Sequence, residues 1–232
     1  MDTTSGAGVL HPYWPRDLHI PSYVANDRSM SEILVFLFSA SVTLVIVTYL
    51  ITGWKEPTRR LGSWRRLAVC WFAVCGFIHS VIEGWFSLYY DIIPRDQSFL
   101  SQLWKEYSKG DSRYVIADNF TVCVETVTSW IWGPFCFWAV FAFLTNKPYR
   151  FVLQLIISLG QLYGAVLYFF TEHRDGYIHS EFGHPVYFWF YFVFMNTLWI
   201  VTPLLLIVDA WRQLSAAQIH ADVIKTQKAK KK

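Results

Sequence analysis

"ILVFLFSASVTLVIVTYLI", residues 33–51, runs for nineteen positions without a charge. About 20 mostly apolar residues make a helix long enough to cross the hydrocarbon core of a bilayer. Only a helix or a closed barrel satisfies its backbone hydrogen bonds there. The stretch lacks the apolar–polar alternation of a half-buried strand, so it reads as a membrane-spanning helix, exposed to lipid over much of its surface. Four further segments follow, roughly 67–90, 119–144, 151–170 and 185–209, the last opened by Pro185, which suits a first helical turn. The predicted fold is an all-α membrane protein, a bundle of five transmembrane helices.

Composition agrees. The 232 residues are 54% hydrophobic and 19% aromatic, with 16% charged against roughly 25% in soluble domains. Mean hydropathy is positive, +0.29. Net charge is only +3, and no basic stripe with interleaved aromatics points to nucleic acid. Cys70, Cys75, Cys123 and Cys136 all fall in apolar runs without zinc spacing and read as small buried hydrophobes. The first 28 residues are polar and contain proline, unlike a cleavable signal.

Thirteen of the 20 basic residues fall in the first loop (Lys55, Arg59, Arg60, Arg65, Arg66), the third loop (Lys147, Arg150) and the tail. The positive-inside rule therefore predicts a lumenal N-terminus and a cytosolic C-terminus. The organisation expected is an N-terminal segment 1–32, a first span 33–51, a four-helix domain 64–209 and a basic tail 210–232. The closing "KAKKK" fits a dilysine retrieval signal of the endoplasmic reticulum, and equally a tail attracted to anionic lipid. The sequon at Asn119 abuts a span and is expected to be too close to the membrane for use. Within 91–118, "FLSQLWKEY" has helical apolar spacing and is expected to lie on the lumenal interface.

Ionisable groups inside spans are rare and usually functional. His79 and Glu83 share a helix face at i,i+4. Glu125 and Thr128 share one at i,i+3, as do Asn196 and Trp199, and Gln154, Ser158 and Gln161 form a row. At 1.5 Å per residue, Glu83 and Glu125 sit about 10 and about 9 Å below their span ends, and His79 and Asn196 both about 16 Å. The levels predict one polar cavity in an apolar bundle. "GQLYG", 160–164, is a weak helix-packing motif. His173, His179 and His184 read as a solvated loop. No metal site is expected, because only His79 lies within a span. Nor is there a nucleophile elbow or a phosphate loop. Acid–base chemistry on an apolar molecule fits best: a buried carboxyl can donate a proton, and an aromatic face can stabilise a cation.

At these residues the chain resembles a known family. "RRLAVCWFAVCGFIHSVIEGWF" (65–86), "FLSQLWKEYSKGDSRY" (99–114), "DNFTVCVET" (118–126), "YFFTEHRDGY" (168–177) and "HPVYFWFYFVFMNTLW" (184–199) closely resemble the emopamil-binding protein family of sterol Δ8–Δ7 isomerases, as does "LHPYWP" (10–15). Residues 64–209 look like the domain shared with the sigma-2 receptor; the first span and the tail match in character only. The resemblance implies an endoplasmic-reticulum enzyme of cholesterol synthesis that needs no cofactor and moves a sterol double bond from C8–C9 to C7–C8. It assigns catalysis to His79, Glu83 and Glu125, and substrate or cation binding to Thr128, Asn196 and Trp199. On that basis His79 and Glu83 would protonate C9, Trp199 and Glu125 would stabilise a cation at C8, and Thr128 and Asn196 would hold the carboxylates and the histidine. The base that removes the C7 proton is left as His79 or Glu125. The implied partners are sterol, lipophilic cationic amines, membrane lipid and a second copy in a homodimer. The alternative is a non-enzymatic binder of sterols or amines.

Overall fold

The computed structural model describes residues 10–54 and 61–230, so Lys55, Arg59, Arg60, Lys231 and Lys232, used above for orientation and retrieval, lie outside the described residues. The described residues contain helices and no strands. Among the described residues, five helices are long and apolar enough to cross a membrane. They are α1 (Met30–Gly53), α2 (Ser63–Tyr89), α4 (Asn119–Leu144), α5 (Arg150–Arg174) and α6 (Pro185–Ala229). A short helix, α3 (Phe99–Tyr107), lies between α2 and α4.

Local chemistry sets the ends. Ser29 and Glu32 form a capping box at the start of α1, filling two of the backbone donors that a helix leaves free. Pro185 occupies the first turn of α6, and His184 Nδ1 accepts from the amides of Val186 and Tyr187. The last helix does not stop near residue 209; it continues as an exposed rod to Ala229. Helix α1 buries only Ile33, Thr48 and Thr52, as expected of a lipid-facing span. It packs on α2; α2 also packs on the second half of α4, and α6 packs extensively on α5.

Two apolar cores divide the bundle. Near the tail end, Phe72 and Cys75 of α2 meet Ala139 and Phe143 of α4, Ile157 of α5 and Leu206 of α6. Near the opposite, capped end, Phe86, Trp104, Tyr114, Tyr168 and Phe192 form an aromatic core. Helix α3 belongs to this core. Ser101 to Glu106 are buried without a break, so α3 plugs the capped end of the bundle and does not lie on an interface. Its charges are accommodated internally: Lys105 Nζ donates to the Val24 carbonyl and to Gln97, each at 2.9 Å, and Glu106 pairs with Lys109 at 2.6 Å. The apolar spacing marked the helix correctly, but its polar face is covered by residues 24–28 and 97, which supply carbonyls and amides in place of water.

Of the loop histidines, His173 is exposed as expected, but His179 is more embedded. His179 Nδ1 lies 2.8 Å from Glu172, a fully buried carboxylate that also receives the His179 amide. Arg113, 1% exposed, bonds Asp111 and Thr171 and approaches Glu172 to 3.6 Å. Burial opposes the charge of Arg113, but the Asp111 carboxylate holds it protonated. Glu172, Asp175 and His179 lie close enough together to ligate a metal; within the cluster, Glu172 pairs with both Arg113 and His179.

Among the described residues, three stretches depart from α geometry to π geometry: Ile78–Glu83, Thr128–Trp132 and Pro185–Met195. Inserted π turns occur mostly at functional sites, and here each contains or directly adjoins a candidate residue. The first two pack together, and a Cβ on Gly133 would lie 2.3 Å from Ser80 Oγ, so this contact requires glycine.

Candidate active site

Between the two cores lies a cavity of about 430 Å³, within the ~300–1,000 Å³ usual for small-molecule sites. His79, Glu83, Glu125, Thr128, Asn196 and Trp199 all line it. It reaches the bundle surface between α4 and α5, where Cys123, Val127 and Tyr163 are exposed and Gly164 faces open space. This opening looks onto the lipid-facing side of apolar helices. Cys123 is therefore not the buried hydrophobe expected from its setting, whereas Cys70, Cys75 and Cys136 are.

The i,i+4 pair forms: His79 Nδ1 stands 2.7 Å from Glu83 Oε2. His79 is 1% exposed. Glu83 and Glu125 line the same cavity, in keeping with their equal depth in the sequence. The Trp199 ring lies 6.2 Å from the His79 ring and 5.5 Å from the Trp71 ring, centroid to centroid. The Trp199 indole N–H is buried with no acceptor among the described residues.

The groups that hold these side chains differ from those expected. Thr128 donates to the Val124 carbonyl of its own helix at 2.7 Å, not to a carboxylate. Asn196 Nδ2 donates to the Phe192 carbonyl and to Tyr107 Oη, each at 2.8 Å, not to His79. Glu125 is instead held by Tyr114, whose hydroxyl donates to Oε1 at 2.8 Å. Burial, and then the adjacent Glu125 charge, keep the Tyr114 phenol well above the usual range, so it remains a donor. Burial likewise raises Tyr107, offset in part by Asn196. Gln161 holds the far side of His79, Nε2 to Nε2 at 3.0 Å. Tyr107 and Tyr114 sit among charged residues in a segment between spans, and nothing in that local pattern signals a cavity wall. Gln161 belongs to the polar row on α5, but its target could not be read from the row. Of the glycine motif on the same helix, Gly160 packs against the Trp132 ring of α4, whereas a Cβ on Gly164 would touch nothing within 4 Å.

The fold and the cavity define a class: a five-helix membrane protein with paired carboxyls, a histidine and a tryptophan around an apolar intramembrane site. The EXPERA (expanded EBP superfamily) profile matches residues 99–210. The chain is 58% identical over 219 residues to the 3-beta-hydroxysteroid-Delta(8),Delta(7)-isomerase of Mus musculus, covering 94% of this chain and 95% of the relative. It is 55% identical to the Cavia porcellus protein of that name over the full length of both. A probable isomerase of the same name from Oryza sativa is 38% identical over 94% of this chain and 97% of its own. The chain belongs to this isomerase family, that of the emopamil-binding proteins.

Proposed function

We propose that this membrane enzyme, a sterol Δ8–Δ7 isomerase by family, moves the double bond by adding and removing protons at Glu83 and Glu125, with His79 bonded to Glu83. Glu83 delivers a proton to C9; the alkene pair forms the C9–H bond and leaves a tertiary cation at C8. The C7–H bond then breaks, its electron pair closes C7=C8, and the proton goes to a carboxylate. Glu125 is the base in this reading, because His79 has both ring nitrogens engaged. No proton is consumed overall. The observation that carries the reading is that both carboxyls, with His79 on one of them, line one apolar cavity. There, preorganised charge acts far more strongly than in water. Trp199 offers a ring face to the cation, and Tyr107 and Asn196 complete the polar wall.

The same charges would hold a lipophilic amine, whose ammonium resembles the cation. The basic bias of the loops and tail supports a lumenal N-terminus in the endoplasmic reticulum, and the family resemblance supports a homodimer. The test is Glu83→Gln, which keeps the shape and removes the acid. Turnover of the Δ8 sterol by purified protein should fall by about 10²-fold or more. Activity within about tenfold of wild type would overturn the assignment.

A further inference from the structure

The contacts on the far side of His79 decide where its proton lies. An amide NH₂ only donates, and an indole N–H only donates. Gln161 Oε1 lies 3.4 Å from Trp71 Nε1 and Gln161 Nε2 lies 3.0 Å from His79 Nε2. Turning the amide over would set its NH₂ against the indole N–H and its oxygen against the imidazole. The tryptophan thus fixes the amide, and the amide presents a donor to the histidine. Gln161 is 4% exposed and His79 1%, so no bulk water relieves a mismatch. His79 Nε2 must therefore carry a lone pair, and its proton must be on Nδ1, pointing at Glu83 Oε2 2.7 Å away.

We infer that Trp71 and Gln161 are positioning residues that hold His79 as the neutral Nδ1–H tautomer and thereby place the acid proton of Glu83 on Oε1. The consequence follows from donor counting. When Glu83 is protonated, Oε2 already receives the imidazole N–H, so the acid proton resides on Oε1. That oxygen, the one not bonded to His79, is the one from which Glu83 would deliver its proton. With the other tautomer, Nδ1 would accept from Glu83 Oε2–H, turning the acid proton into the histidine. The inference rests on Glu83 being the acid, but its first test does not.

That test is ¹⁵N NMR of His-labelled protein purified in nanodiscs, with His79 assigned by difference from a His79→Ala sample. Wild type should show an unprotonated Nε2 and a protonated Nδ1. A protonated Nε2 would overturn the inference whatever Glu83 does. The second arm uses Gln161→Glu, a near-isosteric side chain whose carboxylate calls for a donor at Nε2. It should move the proton to Nε2 and lower kcat by at least about tenfold while KM changes by less than about twofold. Trp71→Phe should give a mixture of the two tautomers. An unchanged tautomer in Gln161→Glu, or a loss confined to KM, would refute the positioning role. If Glu83→Gln is active while the tautomer is as stated, the acid assignment fails and the tautomer assignment stands.

Discussion

Replacing Tyr114 by Phe removes one oxygen from the wall of the cavity and little else. The ring stays where it is, because it packs between Trp104 at 4.9 Å and Tyr107 at 5.2 Å and against Phe86 at 5.3 Å, centroid to centroid. What is lost is the donor 2.8 Å from Glu125 Oε1. Hydrogen bonds to charged groups contribute about 1.5–3 kcal/mol, and more of that is felt when the group left behind is buried. Glu125 is 8% exposed, so water cannot readily replace the phenol. If Glu125 carries charge in the transition state, the loss translates to a fall of about 10- to 150-fold in kcat/KM. The assay is conversion of the Δ8 sterol by nanodisc-reconstituted protein, with product measured by gas chromatography–mass spectrometry and the thermal midpoint of each variant recorded. A kcat/KM within about threefold of wild type, at unchanged folding, would show that Tyr114 does not hold Glu125 for catalysis.

Gly164→Leu puts a side chain into open space at the mouth between α4 and α5. It should leave thermal stability equal or higher, since leucine favours helix over glycine by somewhat under about 1 kcal/mol, while KM for the sterol rises by about tenfold; an unchanged KM would mean that sterol does not pass this point. Gly133→Ala forces a Cβ to 2.3 Å from Ser80 Oγ and 3.1 Å from the Ser80 amide nitrogen, and should destabilise the fold by about 1–3 kcal/mol in a reversible unfolding measurement. His179 gives a pH signature. Burial lowers its pKa, but the Glu172 carboxylate more than compensates, so the folded value lies above the ordinary one. Its contribution is therefore fully present below about pH 6.5 and is lost as pH rises through the raised folded value. The thermal midpoint of wild type should drop over that interval more than that of His179→Gln, and parallel curves would contradict the linkage.

The spans were legible because a bilayer imposes the requirement locally: each segment must be long, apolar and internally hydrogen-bonded whatever its neighbours do. The interior positions of His79, Glu83 and Glu125 were legible for the same reason, since an ionisable group in such a segment has to turn away from lipid. Counting 1.5 Å per residue from the ends then matched Glu83 to Glu125. Helix α3 could be found but not placed. Its periodicity marks two faces, while residues 24–28 cover the polar one through contacts some 75 positions away in sequence.

The exposure of Cys123, the open face of Gly164 and the bonding of Tyr114, Gln161 and Asn196 depended on helix rotation and on the π turns at Ile78–Glu83, Thr128–Trp132 and Pro185–Met195. A π turn adds a residue to the turn and re-aims every side chain beyond it, and no residue type announces one. The sequence by itself determined a five-span α-bundle with acid–base groups at its centre, because hydrophobic burial and backbone satisfaction act along each segment. Only the tertiary structure decided which donor meets which acceptor. That is a matter of angstrom-scale distances between helices far apart in the chain, and it is where the tyrosine on Glu125 and the glutamine on His79 came into view.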